Sequence, residues 1–343
     1  MINHNGIQDM YTPPYTITDE ISALVAEIAD QVGQLTSAAK DIPVPHLRKE
    51  NRIKTIQSSL AIENNSLTVD QVTAIVEGKR VLGPPNEIQE VKNAIDAYEL
   101  LLELNPFKEK DLLRAHKLMM TDLVKENGRY RQGDVGVFDG QKCIHMAPPA
   151  QRVPLLMADL FGWVKQSKAH PLISSCVFHY EFEFIHPFAD GNGRMGRMWQ
   201  TLLLMQWKSI FAWIPVETIV KEHQQEYYAA IAKSDSEANS TAFITFMLRC
   251  LKEALGEIEV SNHKTTQKST LKSTLKGTRK NIVEIISNNP NVTIPQIAEQ
   301  LGMNPRGIDK HLKTLREQGI IRRVGPDKGG HWEVIEPKEK GGE

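Results

Sequence analysis

Cysteine is scarce: Cys143, Cys176 and Cys250 make an odd number, and no two stand in CxxC spacing. That argues against a disulfide framework or a cysteine zinc site and suits a reducing compartment. Long apolar runs are missing too, since none approaches the roughly 20 residues that a membrane span needs. The first residues, Met1 to Gly6, lack the basic and apolar blocks of a signal peptide. Excess charge is absent, with 41 Lys and Arg against 42 Asp and Glu. The chain as a whole is therefore no polyelectrolyte for DNA or an anionic membrane, and nucleic-acid binding must come from local charge. The Gly-x4-Gly-Lys-Ser/Thr spacing of a P-loop is not found either. These absences leave a cytoplasmic globular protein with no membrane partner. Its 343 residues suffice for about two domains of ~150.

From Ile17 to about Leu255 nearly every periodic segment reads as helix. Ile21, Leu24, Val25, Ile28 and Val32 form one stripe behind the acidic opening at Asp19 and Glu20. Further helices are expected over Leu47 to Glu63, from Thr68, from Asn86, and over Lys110 to Met120, Val153 to Ser167, Leu172 to Phe184, Arg194 to Trp207 and Ala242 to Leu255. Val135 to Met146 breaks the pattern. Both its ends are β-prone and Asp139-Gly140 sits at its centre, the local signature of a hairpin.

Composition changes again from Ser261 to Lys280, where six basic residues and no acidic one accompany a Lys-Ser-Thr-Leu repeat. This stretch reads as a solvated linker, with a short helix as the alternative. Beyond it, Ile282 to Ile286, Thr293 to Leu301 and Pro305 to Gln318 read as three helices, followed by strand-like Ile320 to Val324 and Trp332 to Ile335. Helix, helix, tight turn, helix and hairpin is the order of a winged helix-turn-helix. In its third helix Arg306, Lys310, Lys313 and Arg316 share one side, and Ile308, Leu312 and Leu315 face the other. Arg322, Arg323 and Lys328 extend the basic surface to the wing. DNA is one partner this fits; a protein-docking or dimer module is the other.

The chemistry is concentrated in His186-Pro-Phe-Ala-Asp-Gly-Asn-Gly-Arg-Met-Gly-Arg197. Gly191 and Gly193 flank Asn192, so the backbone can take positive φ and approach a ligand closely. A glycine-rich loop feeding a helix N-terminus offers free N–H groups to an anion. Arg194 and Arg197, three apart on that helix, add two fixed charges. Asp190 supplies an oxygen suited to Mg²⁺ beside substrate phosphates. His186 stands four residues upstream, placed to accept a proton. Base, metal ligand, anion cradle and charge clamps are the parts of a phosphoryl or nucleotidyl transfer.

This run resembles the Fic family motif, His-x-Phe-x-Asp/Glu-Gly-Asn-Gly-Arg-x-x-Arg, at every specified position. The helical context from about Thr18 to Leu255 is similar as well. The resemblance implies a mainly α fold with a β-hairpin flap, followed here by the winged helix-turn-helix. It implies adenylyl transfer: His186 deprotonates a Ser, Thr or Tyr hydroxyl of a target protein, which attacks the α-phosphate of ATP. Asp190 then holds Mg²⁺. Asn192 and the glycine amides form the anion hole, and Arg194 and Arg197 bind the outer phosphates. Phe188 anchors the loop in the core. The flap pairs with extended target backbone, and its returning arm, Cys143, Ile144, His145 and Met146, lines the nucleotide site. Tyr227 and Tyr228 match a pair near the adenine, whereas Asp235 replaces the asparagine that often follows seven residues later. Ser59-x-x-x-Glu63-Asn64 fits the family's inhibitory pattern, in which the glutamate pairs with the second motif arginine, here Arg197.

The expected division is 1–105 for an N-terminal region with the inhibitory helix, 106–260 for the catalytic core, 261–280 for the linker and 281–337 for the winged helix. A second copy of the chain stays open as a partner. Phosphate or phosphocholine transfer, AMP removal, and a DNA-binding regulator that senses nucleotide are the rival functions.

Overall fold

The computed structural model describes residues 11–38, 44–139, 142–274, 278–317, 319–326 and 330–335. The chain divides into two compact units between Glu259 and Val260. In the first, α1 (Asp19–Ala38), α2 (Val44–Ile62), α3 (Val69–Val76), α4 (Pro85–Glu99) and α5 (Glu109–Met119) precede a hairpin of β1 (Gly136–Asp139) and β2 (Lys142–Met146). Then follow α6 (Val153–Gln166), α7 (Pro171–Ile185), α8 (Asn192–Trp207), α9 (Val216–Glu222), α10 (Gln224–Glu237) and α11 (Thr241–Thr274), whose residues beyond Glu259 fall in the second unit.

Local chemistry sets several boundaries. Thr68 Oγ1 accepts from the Gln71 amide at 3.3 Å while Gln71 Oε1 accepts from the Thr68 amide at 2.9 Å, a capping box that starts α3. The α4 helix begins at Pro85, one residue before the expected Asn86, because proline's fixed φ suits the first helical position. No proline interrupts α11, which runs on to Thr274 through most of the stretch expected as linker.

Helix α7 is apolar nearly all round, and Leu172, Cys176, Val177, Phe178 and Phe182 have no exposed surface. Such a helix belongs at the centre of a core. Helix α8 packs along it: Gln200 Oε1 accepts from His179 Nδ1 at 2.6 Å, and Gln200 Nε2 donates to Cys176 Sγ at 3.3 Å. From the N-terminal side, α2 buries Ile53, Ile56 and Leu60 and meets α9 through Ser58 Oγ and Thr218 Oγ1, 3.2 Å apart. The hairpin is antiparallel, pairing Gly136 with Met146 and Asp139 with Lys142, with a bulge between Val137 and Phe138. Gly140, the expected turn residue, lies outside the described residues. Among the described residues no helix is long and apolar enough to cross a membrane.

The second unit holds α12 (Thr278–Asn288), α13 (Ile294–Gln300), α14 (Pro305–Glu317), β3 (Ile321–Val324) and β4 (His331–Val334). It has its own core of Ile282, Ile286, Ile297, Ile308, Leu312, Leu315, Ile321 and Trp332. Asn304 Oδ1 accepts from the Arg306 amide at 2.9 Å and so opens α14, and Gly319, at φ 68°, turns the chain out of it. The antiparallel pair β3–β4 completes a winged helix-turn-helix. Arg306, Lys310, Lys313 and Arg316 are exposed on α14. Arg322 pairs with Glu333 at 2.6 Å, Arg323 lies over the Trp332 ring, and Lys328 falls outside the described residues.

Candidate active site

Two helix ends meet at the glycine-rich run. Helix α7 stops at His186, which takes the left-handed conformation (φ 50°, ψ 60°) while its amide still donates to Phe182 O. Helix α8 starts after Gly191, whose φ of 85° and 2.7 Å spacing between a hypothetical Cβ and Met120 Sδ both require glycine. Gly193 is helical, without the positive φ expected of it, and a Cβ there would crowd the carboxylate end of Glu63, which would have to shift. Asn192, expected in the anion cradle, turns its side chain inward. Its Oδ1 accepts from the Phe188 amide and its Nδ2 donates to Phe188 O, each at 2.9 Å. The side chain thus fixes the loop, and its backbone amide is the group left for a ligand.

Three supports come from outside the motif. Phe188 is fully buried and stacks on His116 of α5 with centroids 3.6 Å apart. His116 Nδ1 accepts from the Gly128 amide at 2.9 Å, so its proton sits on Nε2 and is donated to Asp190 O at 3.0 Å. Burial pushes its imidazole down to about 4, which keeps the ring neutral in that role. Arg131, 3% exposed, donates from Nε to His186 O at 2.8 Å and from Nη1 to Gly133 O at 2.9 Å, and also reaches Pro148 O. Its own amide donates to Pro187 O. A buried arginine surrounded by carbonyls works as a clamp on the chain around His186. The sequence carries a weak signal for His116, a histidine in the apolar stripe of Leu112, Ala115 and Met119, and none for Arg131.

Charge is arranged around the first turn of α8. Arg197 is buried, with Nη2 donating to Glu63 Oε1 at 2.7 Å and to Ser59 O at 3.0 Å, and Nε to Ser59 Oγ at 3.2 Å. Burial works against its charge, but Glu63, Tyr227 and Glu183 together outweigh this and hold the guanidinium above its ordinary range. Asn64, at φ 67°, makes the left-handed stop after α2. Arg194 Nη2 meets Asp190 Oδ1 at 3.1 Å, and Nη1 lies 3.6 Å from Glu90 Oε1. Among the described residues, Arg194 Nε, Arg194 Nη1 and Arg197 Nη1 are buried without a hydrogen-bond partner. Buried donors of this kind are costly unless an acceptor arrives. Asp190 also accepts from the Gly191 amide, and its side chain is 57% exposed. One accessible carboxylate beside an anion cradle fits Mg²⁺, which takes one or two carboxylates and completes its shell with phosphate oxygens and water.

Behind the arginines, Tyr227 is buried with its hydroxyl 3.2 Å from His179 Nε2. Tyr228 is half exposed and reaches Ile62 O at 3.4 Å, beside Gln224 Nε2 at 2.8 Å from the same carbonyl. Of the expected adenine pair, Tyr228 is therefore the member open to a ligand. Asp235 accepts from Tyr180 OH at 2.8 Å. Cys143, Ile144, His145 and Met146 form β2, with side chains outside the described residues.

Residues 106–204 match the Fic/DOC family and residues 275–322 a winged helix-turn-helix DNA-binding family. The crystal structure of a Fic family protein from Desulfovibrio desulfuricans G20 is similar at a TM-score of 0.75 and 45% identity, over 96% of this chain and 100% of that one. A Fic domain-containing signaling protein from Bacteroides thetaiotaomicron shares the fold at a TM-score of 0.56 and 19% identity, over 69% of this chain and 95% of that one. A protein named protein adenylyltransferase Fic from Culex quinquefasciatus is 30% identical over 63% of this chain and 43% of its own length. The chain thus spans less than half of that relative.

Proposed function

The chain belongs to the Fic family, and on that premise we propose that it moves AMP from ATP onto a Ser, Thr or Tyr hydroxyl of another protein, held in check by Glu63. The observation that carries this reading is the set of unpartnered buried donors on Arg194 and Arg197 at the N-terminus of α8. They await an anion with several oxygens, and a triphosphate supplies it. Relatives named protein adenylyltransferase support the choice of AMP as the transferred group.

In this reading His186 takes the proton of the target hydroxyl as its oxygen bonds to the α-phosphorus. The bond to the β-phosphate oxygen breaks and pyrophosphate leaves. The backbone amides at Gly191, Asn192 and Gly193 steady the charge on the transferring group. Arg194 and Arg197 orient the outer phosphates. Mg²⁺, held by Asp190, would supply neutralisation of phosphate charge. Glu63 opposes all this by occupying Arg197. The target lies along the β1–β2 hairpin, where its backbone extends the two-stranded sheet.

For the second unit we read DNA as the partner of α14, because Arg306, Lys310 and Lys313 stand exposed on one helix. ATP labelled at the α-phosphate, incubated with a lysate, should mark protein, and mass spectrometry should find an added AMP. Marking from the γ-position instead indicates phosphate transfer, and release of AMP from modified protein indicates removal. No marking from either position leaves a nucleotide-sensing regulator.

A further inference from the structure

Arg194 lies between two acids that differ in freedom. Asp190, four residues earlier on the same chain, touches Nη2 at 3.1 Å with a side chain 57% exposed. Glu90 approaches Nη1 from α4 at 3.6 Å with a side chain 23% exposed. That second contact is an ion pair without a hydrogen bond, so Nη1 and Nε keep their donors open. Glu90 is itself anchored, because its other oxygen accepts from Asn65 Nδ2 at 2.8 Å.

Asn65 belongs to the turn that follows Glu63. The same Nδ2 also donates to Glu87 O at 3.1 Å, and Ser66 donates to Glu87 Oε2 from its amide at 2.6 Å and its hydroxyl at 2.7 Å. The turn is thus fastened to the start of α4. It reaches both motif arginines: Arg197 directly through Glu63, and Arg194 through Asn65 and Glu90.

We propose that Glu90 is a positioning residue for phosphate, holding Arg194 in a charge-paired pose whose donors stay free. The assignment rests on the reading that this cradle binds ATP. Were Asp190 to hold Mg²⁺, Arg194 would share its nearer counter-ion with the metal, and a buried charge short of partners is unfavourable. Glu90 keeps that charge balanced and the guanidinium in place. It does so without blocking the ligand, because a 3.6 Å ion pair uses neither Nη1 nor Nε as a hydrogen-bond donor.

This role has a kinetic signature. Glu90→Gln keeps the size and the bond from Asn65 but removes the charge. An incoming triphosphate then meets less repulsion, so ATP binding should hold or tighten. Arg194, less firmly placed, should misalign the reacting phosphate, and a shift of about 1 Å can slow a reaction a hundredfold. The test compares full-length Glu63→Gly with Glu63→Gly plus Glu90→Gln, measuring kcat and KM for AMP transfer and Kd for ATP by calorimetry. We expect kcat to fall about tenfold with KM and Kd unchanged or lower. Asn65→Ala, which frees Glu90 without altering charge, should give the same split in weaker form. Unchanged kcat overturns the assignment. So does a rise in KM that accompanies the fall in kcat, or a loss of both with a lowered Tm in both variants. Failure of the Glu63→Gly chain to bind ATP overturns the adenylyl-transfer reading itself and takes this assignment with it; it shows before Glu90 is altered.

Discussion

Replacing Glu63 with Gly isolates one charged contact. Arg197 makes three hydrogen bonds to the end of α2 and the turn after it, two to Ser59 and one, at 2.7 Å, to Glu63. Only the last opposes a phosphate by charge. A charge-assisted hydrogen bond contributes about 1.5–3 kcal/mol, and each ~1.4 kcal/mol is a factor of ten in rate. The Glu63 side chain is 35% exposed, so water screens the pair and the lower half of that range applies. The expected gain in AMP transfer is therefore about ten- to fortyfold. The variant should fold, because glycine is well tolerated at a helix C-terminus. The assay is the initial rate of label transfer from α-labelled ATP, self-modification included, beside a melting curve. Arg197→Ala breaks the same contact but also removes a phosphate clamp, so it should not raise the rate. A merely supporting ion pair would lose activity from either side. If Glu63→Gly folds normally yet transfers AMP no faster than the parent chain, inhibition by Glu63 is refuted.

His186→Ala should abolish transfer with ATP affinity within about twofold, since a base acts only in the transition state; calorimetry beside the label assay checks both. His116 gives a pH signature. Its folded imidazole, pushed down to about 4 by burial, resists a proton that the unfolded chain accepts near ~6.5. Stability from this group is complete above ~6.5 and is lost progressively as pH falls toward about 4. His116→Gln should lower Tm at neutral pH and flatten its dependence across that window. In the second unit, Arg306→Ala with Lys310→Ala should weaken DNA binding and reduce the salt slope by up to about two. Salt-insensitive retention of DNA by the double variant would point to other contacts.

The helical class and the motif loop are legible because their information is local. Thr68 and Gln71 cap α3 at three-residue spacing, and His186 to Arg197 carry their chemistry within twelve consecutive residues. The supports are not legible, because they arrive from distant segments. Arg131 reaches His186 O across 55 positions, and Glu90 reaches Arg194 across roughly a hundred. Helix α10 escapes notice for a different reason: it buries only Tyr227 and Ser234, too little for an apolar stripe. Gly193 departs from the expectation in its backbone. Positive φ is the usual expectation for such a glycine, whereas here the backbone is helical and a side chain would displace the Glu63 carboxylate.

His186 ends one helix and the anion cradle begins the next, so their separation is a property of the α7–α8 pair. Only Pro187, Phe188, Ala189, Asp190 and Gly191 lie between, too few to move independently of the helices that hold them. The pair behaves as a caliper whose opening is set by its packed length, at His179 and Gln200, at Cys176, and where Gly196 lets Glu183 and His179 come close. A methylene added or removed there should change the gap between His186 and the start of α8 without touching either. On the proposed function, that change would alter turnover from within the core of the α7–α8 pair.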